Sequence, residues 1–437
     1  MIVLGYDFHK NGSIEKPNGL IGQRINKSNR DTSGIFQLFL PPYLIEMFHK
    51  FKIDVEVDSV TNIKKKNLKQ KWIYPLDCLG DPRGWLGKYN PKKYNSIKSI
   101  FSGIGKRTID EVRNNKAVIM IYQPMEGYPS NWLGNDIFEI IYEEIIKYKI
   151  RPKNVLYVAG NWILEDDFEK WKPKSKYSEM EDIVVHSFNN ERFLDFRNKW
   201  DIADLDSGKK RRKHFLCFNR APRGHRLFLL SLLHGSGIIK KGFVSCNKIR
   251  YGFDNFSGYL NNLGAGKNIR TNSVSHLKEF DKGAPYIVDV DEWDTNHFDT
   301  SPSWPYEESF FSITTNTLFE DKSIFLDEKI WKPILNFHPF IFVGCYNSLR
   351  KLKELGFKTF HPFIDESYDE QKHPVKRMMM ISKEVERLCS YTLDEMNGWY
   401  NQLLPRLKHN HHKLFDQQSL NDFVNLLHHN TDISINE

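Results

Sequence analysis

Ala117-Val118-Ile119-Met120-Ile121-Tyr122 is an unbroken apolar run, Val155-Leu156-Tyr157-Val158-Ala159-Gly160 is a second, and between them lies the periodic stretch Ile137 to Ile150. Two continuous apolar strands flanking an amphipathic helix require a parallel sheet covered on both faces, so this part of the chain reads as β-α-β. Working outward, Met1-Ile2-Val3-Leu4-Gly5-Tyr6-Asp7 reads as a strand, Asn11 to Arg30 as polar and turn-rich, Pro41 to Phe51 as a helix and Lys64 to Lys71 as a basic, solvated loop.

Downstream, Asp201 to Lys213 shifts to a polar composition ending in Lys209-Lys210-Arg211-Arg212-Lys213, which we read as a charged linker at a domain boundary. The α/β rhythm then resumes. Strands are expected at Phe215–Phe218, Phe243–Ser245, Pro285–Val288, Phe311–Ile313 and Phe340–Gly344, with another beginning at Thr359-Phe360, and helices at Arg223–Leu233 and Ser348–Leu355. Helix predominates from Asp369 to Leu427. Short alternating strands and helices specify a doubly wound sheet whose ligands sit beyond the carboxyl ends of the strands. The expected domains are 1–207 and 208–375, with a helical segment 376–437 packing back on the first.

Length agrees, because 437 residues exceed what one core ordinarily covers. Hydrophobic residues at 40% and aromatics at 14% are globular proportions, and no apolar run approaches the roughly 20 residues of a membrane span. The opening strand lacks a signal peptide's cationic start and cleavage site, so a cytoplasmic protein is expected. Five cysteines (Cys78, Cys217, Cys246, Cys345, Cys389) lie far apart, mostly within apolar runs, and read as reduced and structural. The net charge of +8, from 63 Lys+Arg against 55 Asp+Glu, favours polyanionic partners, among them nucleoside diphosphates and DNA.

Two segments carry most of the chemistry. His214 to Leu227 runs strand, tight loop, helix, and its Asn219-Arg220-Ala221-Pro222-Arg223-Gly224-His225-Arg226 places three arginines where a strand delivers the chain into a helix N-terminus. Unpaired N–H groups, the helix dipole and guanidinium donors together suit a diphosphate; cations on a first helical turn with no anion would oppose the dipole. The second segment, Ser323 to Gly344, centres on Phe325-Leu326-Asp327-Glu328-Lys329 and reads as a short helix opened by acidic residues that leads into a buried strand. Glu328 can accept hydrogen bonds from a ribose while Lys329 reaches phosphates. Read more plainly, Asp327 and Glu328 simply complement a helix dipole.

This second segment resembles the donor-site signature of the α1,3-fucosyltransferase family and related two-domain glycosyltransferases: an aromatic, two residues, Glu-Lys, then a helix leading to an apolar strand and glycine. It resembles still more closely glycosyltransferases encoded by large phages, which add an upstream loop rich in asparagine and arginine. The resemblance spans His214 to Asp369. It implies two facing Rossmann-like domains of the B-type glycosyltransferase fold, with C-terminal helices crossing back to the N-terminal domain. By position it assigns ribose to Glu328, diphosphate to Lys329, and a place near the nucleotide to Phe325. The phosphate-binding arginine is Arg223 or Arg226, and the sequence does not choose between them. Asn219, Arg220 and Lys332 complete the expected donor site. Two differences leave the sugar open: Asp327 stands where the family commonly has threonine, and Thr315-Asn316 where relatives often have Thr-Glu.

On the acceptor side, Gln123-Pro124-Met125-Glu126-Gly127-Tyr128 follows a strand and resembles the family's turn bearing its general base. Glu126 is therefore the expected proton acceptor in an inverting transfer, with His9, after Asp7, as a second candidate. Asp7, Tyr128 and Asn161 would line the acceptor, Asn161 alternatively capping the next turn. Asp289-Val290-Asp291 has the D-x-D spacing of Mg²⁺- or Mn²⁺-dependent sugar transferases, yet the arginine loop and Lys329 already supply charge to a diphosphate. No cofactor is expected beyond the donor, a nucleoside diphosphate sugar. His409-Asn410-His411-His412 and His428-His429 lack zinc spacing. The acceptor reads as a glycan or, given the basic balance, a hydroxymethylated base in viral DNA. Lys64-Lys65-Lys66 and the Lys209–Lys213 run bear on that choice. The other readings are a non-enzymatic nucleic-acid-binding protein, which leaves Glu328-Lys329 unexplained, and a D-x-D metal-dependent transferase.

Overall fold

The computed structural model describes residues 1–6, 42–66, 68–77, 100–101, 104–124, 127–132, 135–189, 193, 201–205, 210–249, 252–288, 302–320 and 322–432. The chain forms two compact units, Met1–Asp195 together with Gln417–Glu437, and Phe196–Asp416.

The first unit is built on six parallel strands: β1 (Ile2–Tyr6), β2 (Val55–Ser59), β3 (Trp72–Asp77), β4 (Ala117–Gln123), β7 (Val155–Ala159) and β8 (Val184–Ser187), in the order β2-β1-β3-β4-β7-β8. A small hairpin, β5 (Asn131–Trp132) and β6 (Asn135–Asp136), intervenes. The β-α-β expectation holds: Gln123 lies opposite Ala159 across β4 and β7, and helix α4 (Ile137–Tyr148) joins them. Its start is set by Asp136, whose carboxylate accepts from Phe138 N at 2.9 Å and Glu139 N at 3.3 Å.

Side chains alternate between two cores, as the two-residue strand period demands. Ala117, Ile119 and Ile121 face one core with Val155 and Tyr157. Val118, Met120 and Tyr122 face the other with Leu156 and Val158. Helices α2 (Val60–Lys65), α3 (Lys106–Arg113), α4 and α5 (Leu164–Trp171) contribute to the first core. The second core is closed by α1 (Pro42–Lys50) and by the chain's last helix, Gln418–Thr431, which inserts Leu420, Phe423 and Leu427. The expected loop from Lys64 to Lys71 is corrected here, since α2 runs through Lys65 and Lys71 is 1% exposed where it enters β3.

The second unit carries four parallel strands, β9 (Lys213–Asn219), β10 (Gly242–Cys246), β11 (Ser309–Thr315) and β12 (Phe340–Val343), in the order β10-β9-β11-β12. Its helices are α6 (Gly224–Gly235), α7 (Phe253–Asn262), α8 (Lys267–Asp281), α9 (Trp304–Glu307), α10 (Glu328–Leu335), α11 (Ser348–Glu354), α12 (Pro374–Ser390) and α13 (Leu393–Leu414). Helix α6 packs on α8 and α12, whereas α10 packs on α13, which reaches β9 and β11. Of the helices following Asp369, α12 and α13 thus remain in this unit, and only α14, the Gln418–Thr431 helix, joins the first.

Two expected strands are corrected. Pro285–Val288 forms only an isolated antiparallel bridge, Tyr286 with Cys246. Thr359 and Phe360 are irregular backbone, Thr359 O accepting from Arg406 and Phe360 N donating to Glu366. Cys217, Cys246, Cys345 and Cys389 are buried and form no disulfide. Burial pushes the Cys217, Cys246 and Cys389 thiols up to about 12. No described helix is long and apolar enough to cross a membrane. Both units are therefore α/β with parallel sheets.

Candidate functional site in the second unit

In a sheet ordered β10-β9-β11-β12 the chain departs from β9 in one direction and from β11 in the other, so the switch of direction lies between the carboxyl ends of β9 and β11. Open α/β sheets offer their binding crevice at this place. Asn219 and Thr315 end those two strands, and the Thr315 hydroxyl donates to the Asn219 side chain across the switch.

Both chemically marked segments converge here. Helix α6 begins after Arg223, and among the described residues no side chain caps its N-terminus, an arrangement that suits an anion. Helix α10 differs: Asp327 is its N-cap, and its carboxylate accepts from Lys329 N at 3.2 Å and from Thr317 N at 2.9 Å. Of these two helix starts, one already holds its own carboxylate.

The structure separates the two candidate arginines. Arg226 is 4% exposed, and its guanidinium donates to Ala221 O at 3.3 Å, Thr315 O at 3.4 Å and Asn316 O at 3.3 Å, tying the β9 loop to the end of β11. Burial, then the charge of Arg223, pulls its pKa down to about 10, against the opposing carboxylates of Asp327 and Glu328. Arg223 is exposed, and its guanidinium donates to Thr317 O at 2.9 Å. Thr317 also meets Lys329, whose Nζ donates to its hydroxyl at 3.4 Å. Arg223 and Lys329 therefore reach the same threonine from opposite helices.

Lys329 is held between carboxylates, Asp327 Oδ2 at 3.1 Å and the neighbouring Glu328. Burial alone would lower the Lys329 pKa, but Asp327 and Glu328 raise it above its ordinary value, so the ammonium stays charged. Burial likewise pushes Glu328 up, and Lys329 outweighs it, leaving that carboxyl below its ordinary value. Asp327, fully buried, is raised by burial and then further by Glu328, although Lys329 opposes. Glu328 is thus held ionised beside Lys329, and Asp327 is the buried N-cap carboxyl next to it.

The remaining expected donor residues occupy distinct places. Asn219 is buried, its amide donating to Cys217 Sγ at 3.1 Å. Arg220 is half-buried and accepts from Asn247 N at 3.1 Å through its carbonyl. Phe325 is 2% exposed, so its ring belongs to the core and its carbonyl to Asn316, which donates to it. Lys332 is half-buried one turn into α10, with its carbonyl accepting from Asn336.

On the first unit, Asn161 is fully buried and holds the turn after β7, accepting from Ile163 N at 3.3 Å and donating to Asp167 at 3.5 Å. These bonds are of the kind the capping alternative expects. Tyr128 is half-buried in the segment after β4. Asp7, His9, Glu126, Asp289 and Asp291 lie outside the described residues. Among the described residues no group of three or more His, Cys, Asp or Glu is arranged to hold a metal.

Sequence reasoning gave no role to His225, Asn316 or Thr317. His225 is buried, donates from Nε2 to Asn316 O at 3.0 Å and stacks on Phe319. Burial, reinforced by Arg226, holds it well below its ordinary pKa, hence neutral. The signal was the run Thr315-Asn316-Thr317 directly after an apolar strand, a polar exit at a sheet's ligand edge.

Several described residues of the two basic runs have partners within the chain. Lys64 pairs with Glu111 at 3.1 Å, and Lys66 with Glu56 and Asp58. Arg211 stacks over Tyr400 with 3.9 Å to the ring centroid, Arg212 pairs with Glu308, and Lys213 opens β9. Compared with known proteins, the chain matches no family model and no curated protein.

Proposed function

We propose that this protein is a glycosyltransferase that moves a sugar from a nucleoside diphosphate sugar to an acceptor hydroxyl. The observation that carries the reading is the uncapped start of α6 at the sheet's switch point, flanked by Arg223 and Lys329, which meet at Thr317. A diphosphate placed there would gain helix N–H groups and two cations, while Glu328 accepts from ribose hydroxyls. As the glycosidic bond to the diphosphate breaks, negative charge grows on the leaving oxygen, and Arg223 and Lys329 stabilise it electrostatically. Arg226 and His225 act at one remove by fixing the Asn316 carbonyl and hence the Thr317 turn.

In this scheme the acceptor oxygen bonds to the anomeric carbon on the face opposite the departing diphosphate while Glu126 or His9 takes its proton, so the configuration inverts and no metal is needed. Of the two acceptor classes, a saccharide is favoured, because Lys64, Lys66, Arg211 and Arg212 already have partners within the chain. A DNA-binding surface needs such charges for phosphates.

Thermal unfolding in the presence of uridine, guanosine, thymidine and adenosine diphosphates and their hexose esters tests the reading. A ligand at a hundred times its Kd stabilises by about 2.7 kcal/mol, a shift of several degrees. Wild type should show it with at least one nucleotide. Arg223→Ala, an exposed change, should lose it while keeping the unliganded Tm. No shift with any nucleotide overturns the proposal.

A further inference from the structure

The contacts around α6 continue past the phosphate position. Glu328 adjoins Lys329, Lys329 reaches the Thr317 hydroxyl, and the Thr317 carbonyl holds Arg223. Arg223 is the N-cap of α6, and Gly224 is its first residue. A side chain at Gly224 would meet the ring of Tyr259, its Cβ only 2.7 Å from three ring carbons. Glycine is needed here because Tyr259, on α7, lays its ring directly on the helix start. The Tyr259 hydroxyl donates to Glu320 Oε2 at 3.2 Å. Beyond Arg223 the track thus ends in an aromatic face and a carboxylate.

We propose that Tyr259 and Glu320 form the subsite for the donor's sugar ring. This rests on the glycosyltransferase reading and extends it. If ribose lies at Glu328 and the diphosphate between Lys329 and Arg223, the group attached to the far phosphate falls next to Gly224 and Tyr259. That group is a hexose. A hexose presents an apolar C–H face, which suits a half-buried tyrosine ring, and several hydroxyl donors, which suit the acceptor-only carboxylate of Glu320. Arg223 would then stand at the junction of phosphate and sugar, where the bond breaks. Neither Tyr259 nor Glu320 contributes to phosphate binding in this arrangement, so their loss should be felt only by ligands that carry a sugar.

The test compares ligands on the same protein by calorimetric titration: uridine and guanosine diphosphates against UDP-glucose and GDP-mannose, on wild type, Tyr259→Leu and Glu320→Gln. Leucine keeps bulk over Gly224, and glutamine keeps the shape of Glu320. Each variant should weaken the sugar nucleotide at least tenfold and leave the free diphosphate within twofold. Equal losses for both ligands, or no loss for either, overturn the subsite, as does a wild type that binds a diphosphate but neither sugar nucleotide. A wild type that binds none of these four, nor any thymidine or adenosine diphosphate or its hexose ester, overturns the glycosyltransferase reading itself, an outcome distinct from the others.

Discussion

At the scale of single residues, Asp327 shows how a chemical label misleads without its backbone context. Read along the chain, a carboxylate in place of threonine adds negative charge beside a phosphate site. In the fold it is the N-cap of α10, fully buried and bonded to Lys329 N and Thr317 N. Threonine and aspartate are both good N-caps, so the difference preserves the capping role. Asp327→Thr should therefore keep nucleotide binding within a few-fold. Asp327→Ala removes the cap and leaves Thr317 N without this acceptor, a loss of about 2–3 kcal/mol measurable by urea denaturation. Glu328 and Lys329 were legible as a polar pair, but their mutual clasp was not, because it depends on χ angles rather than spacing. The choice between Arg223 and Arg226 was equally hidden: both lie near a helix start, and only burial distinguishes them.

At the scale of elements, legibility followed apolar continuity. Phe340–Val343 and Ala117–Gln123 are buried throughout, and both were plain in the sequence. Helices α7 and α8 were not, since Lys267–Asp281 is largely polar and buries only Ser273, Leu277 and Phe280. Strand β3 was obscured by the basic residues before it and by Pro75, which lies within it opposite Met120. The segment after β12 misled in the other direction, for Thr359-Phe360 looks like a strand but is held by side chains. Those side chains are Glu366 and Arg406; nearby, Asp369 accepts from Leu349 N and Arg350 N at 3.0 Å at the start of α11. Burial, opposed by these bonds, raises the Asp369 carboxyl to about 6. A carboxyl raised in the folded state takes up its proton first there, so its contribution to stability is lost as pH rises through 6 and regained on acidification. Between pH 7 and pH 5 the wild type should gain about 1 kcal/mol relative to Asp369→Asn. Parallel pH profiles from chemical denaturation would exclude this titration.

At the scale of the whole molecule, the chain's order and its cores do not coincide. Residues 1–195 supply six strands of the first unit, yet the second face of that sheet is completed by residues more than two hundred positions later. Phe423 stacks on Phe188 at 4.4 Å between ring centroids and on Tyr122 at 6.2 Å, while Leu420 and Leu427 fill the same core. The backbone adds Lys71 N to Thr431 O at 2.9 Å, joining the start of β3 to the helix end. The expectation that the whole helical segment 376–437 packs back on the first domain holds for its last helix, while α12 and α13 stay in the second unit, since periodicity names a face and no partner. Burying three such side chains contributes about 1.5–3 kcal/mol each, which together rivals the roughly 5–15 kcal/mol that stabilises an ordinary domain. Deleting residues 417–437 should therefore strip amide protection from β1, β3, β4 and β7 in hydrogen exchange. Strands β9 and β11, whose covering helices α6, α10 and α13 are retained, should stay protected, and Phe423→Ala alone should cost about 3–5 kcal/mol in the first unit. If the truncated chain keeps native protection in β1 to β7, the last helix is an accessory to that core and not one of its walls.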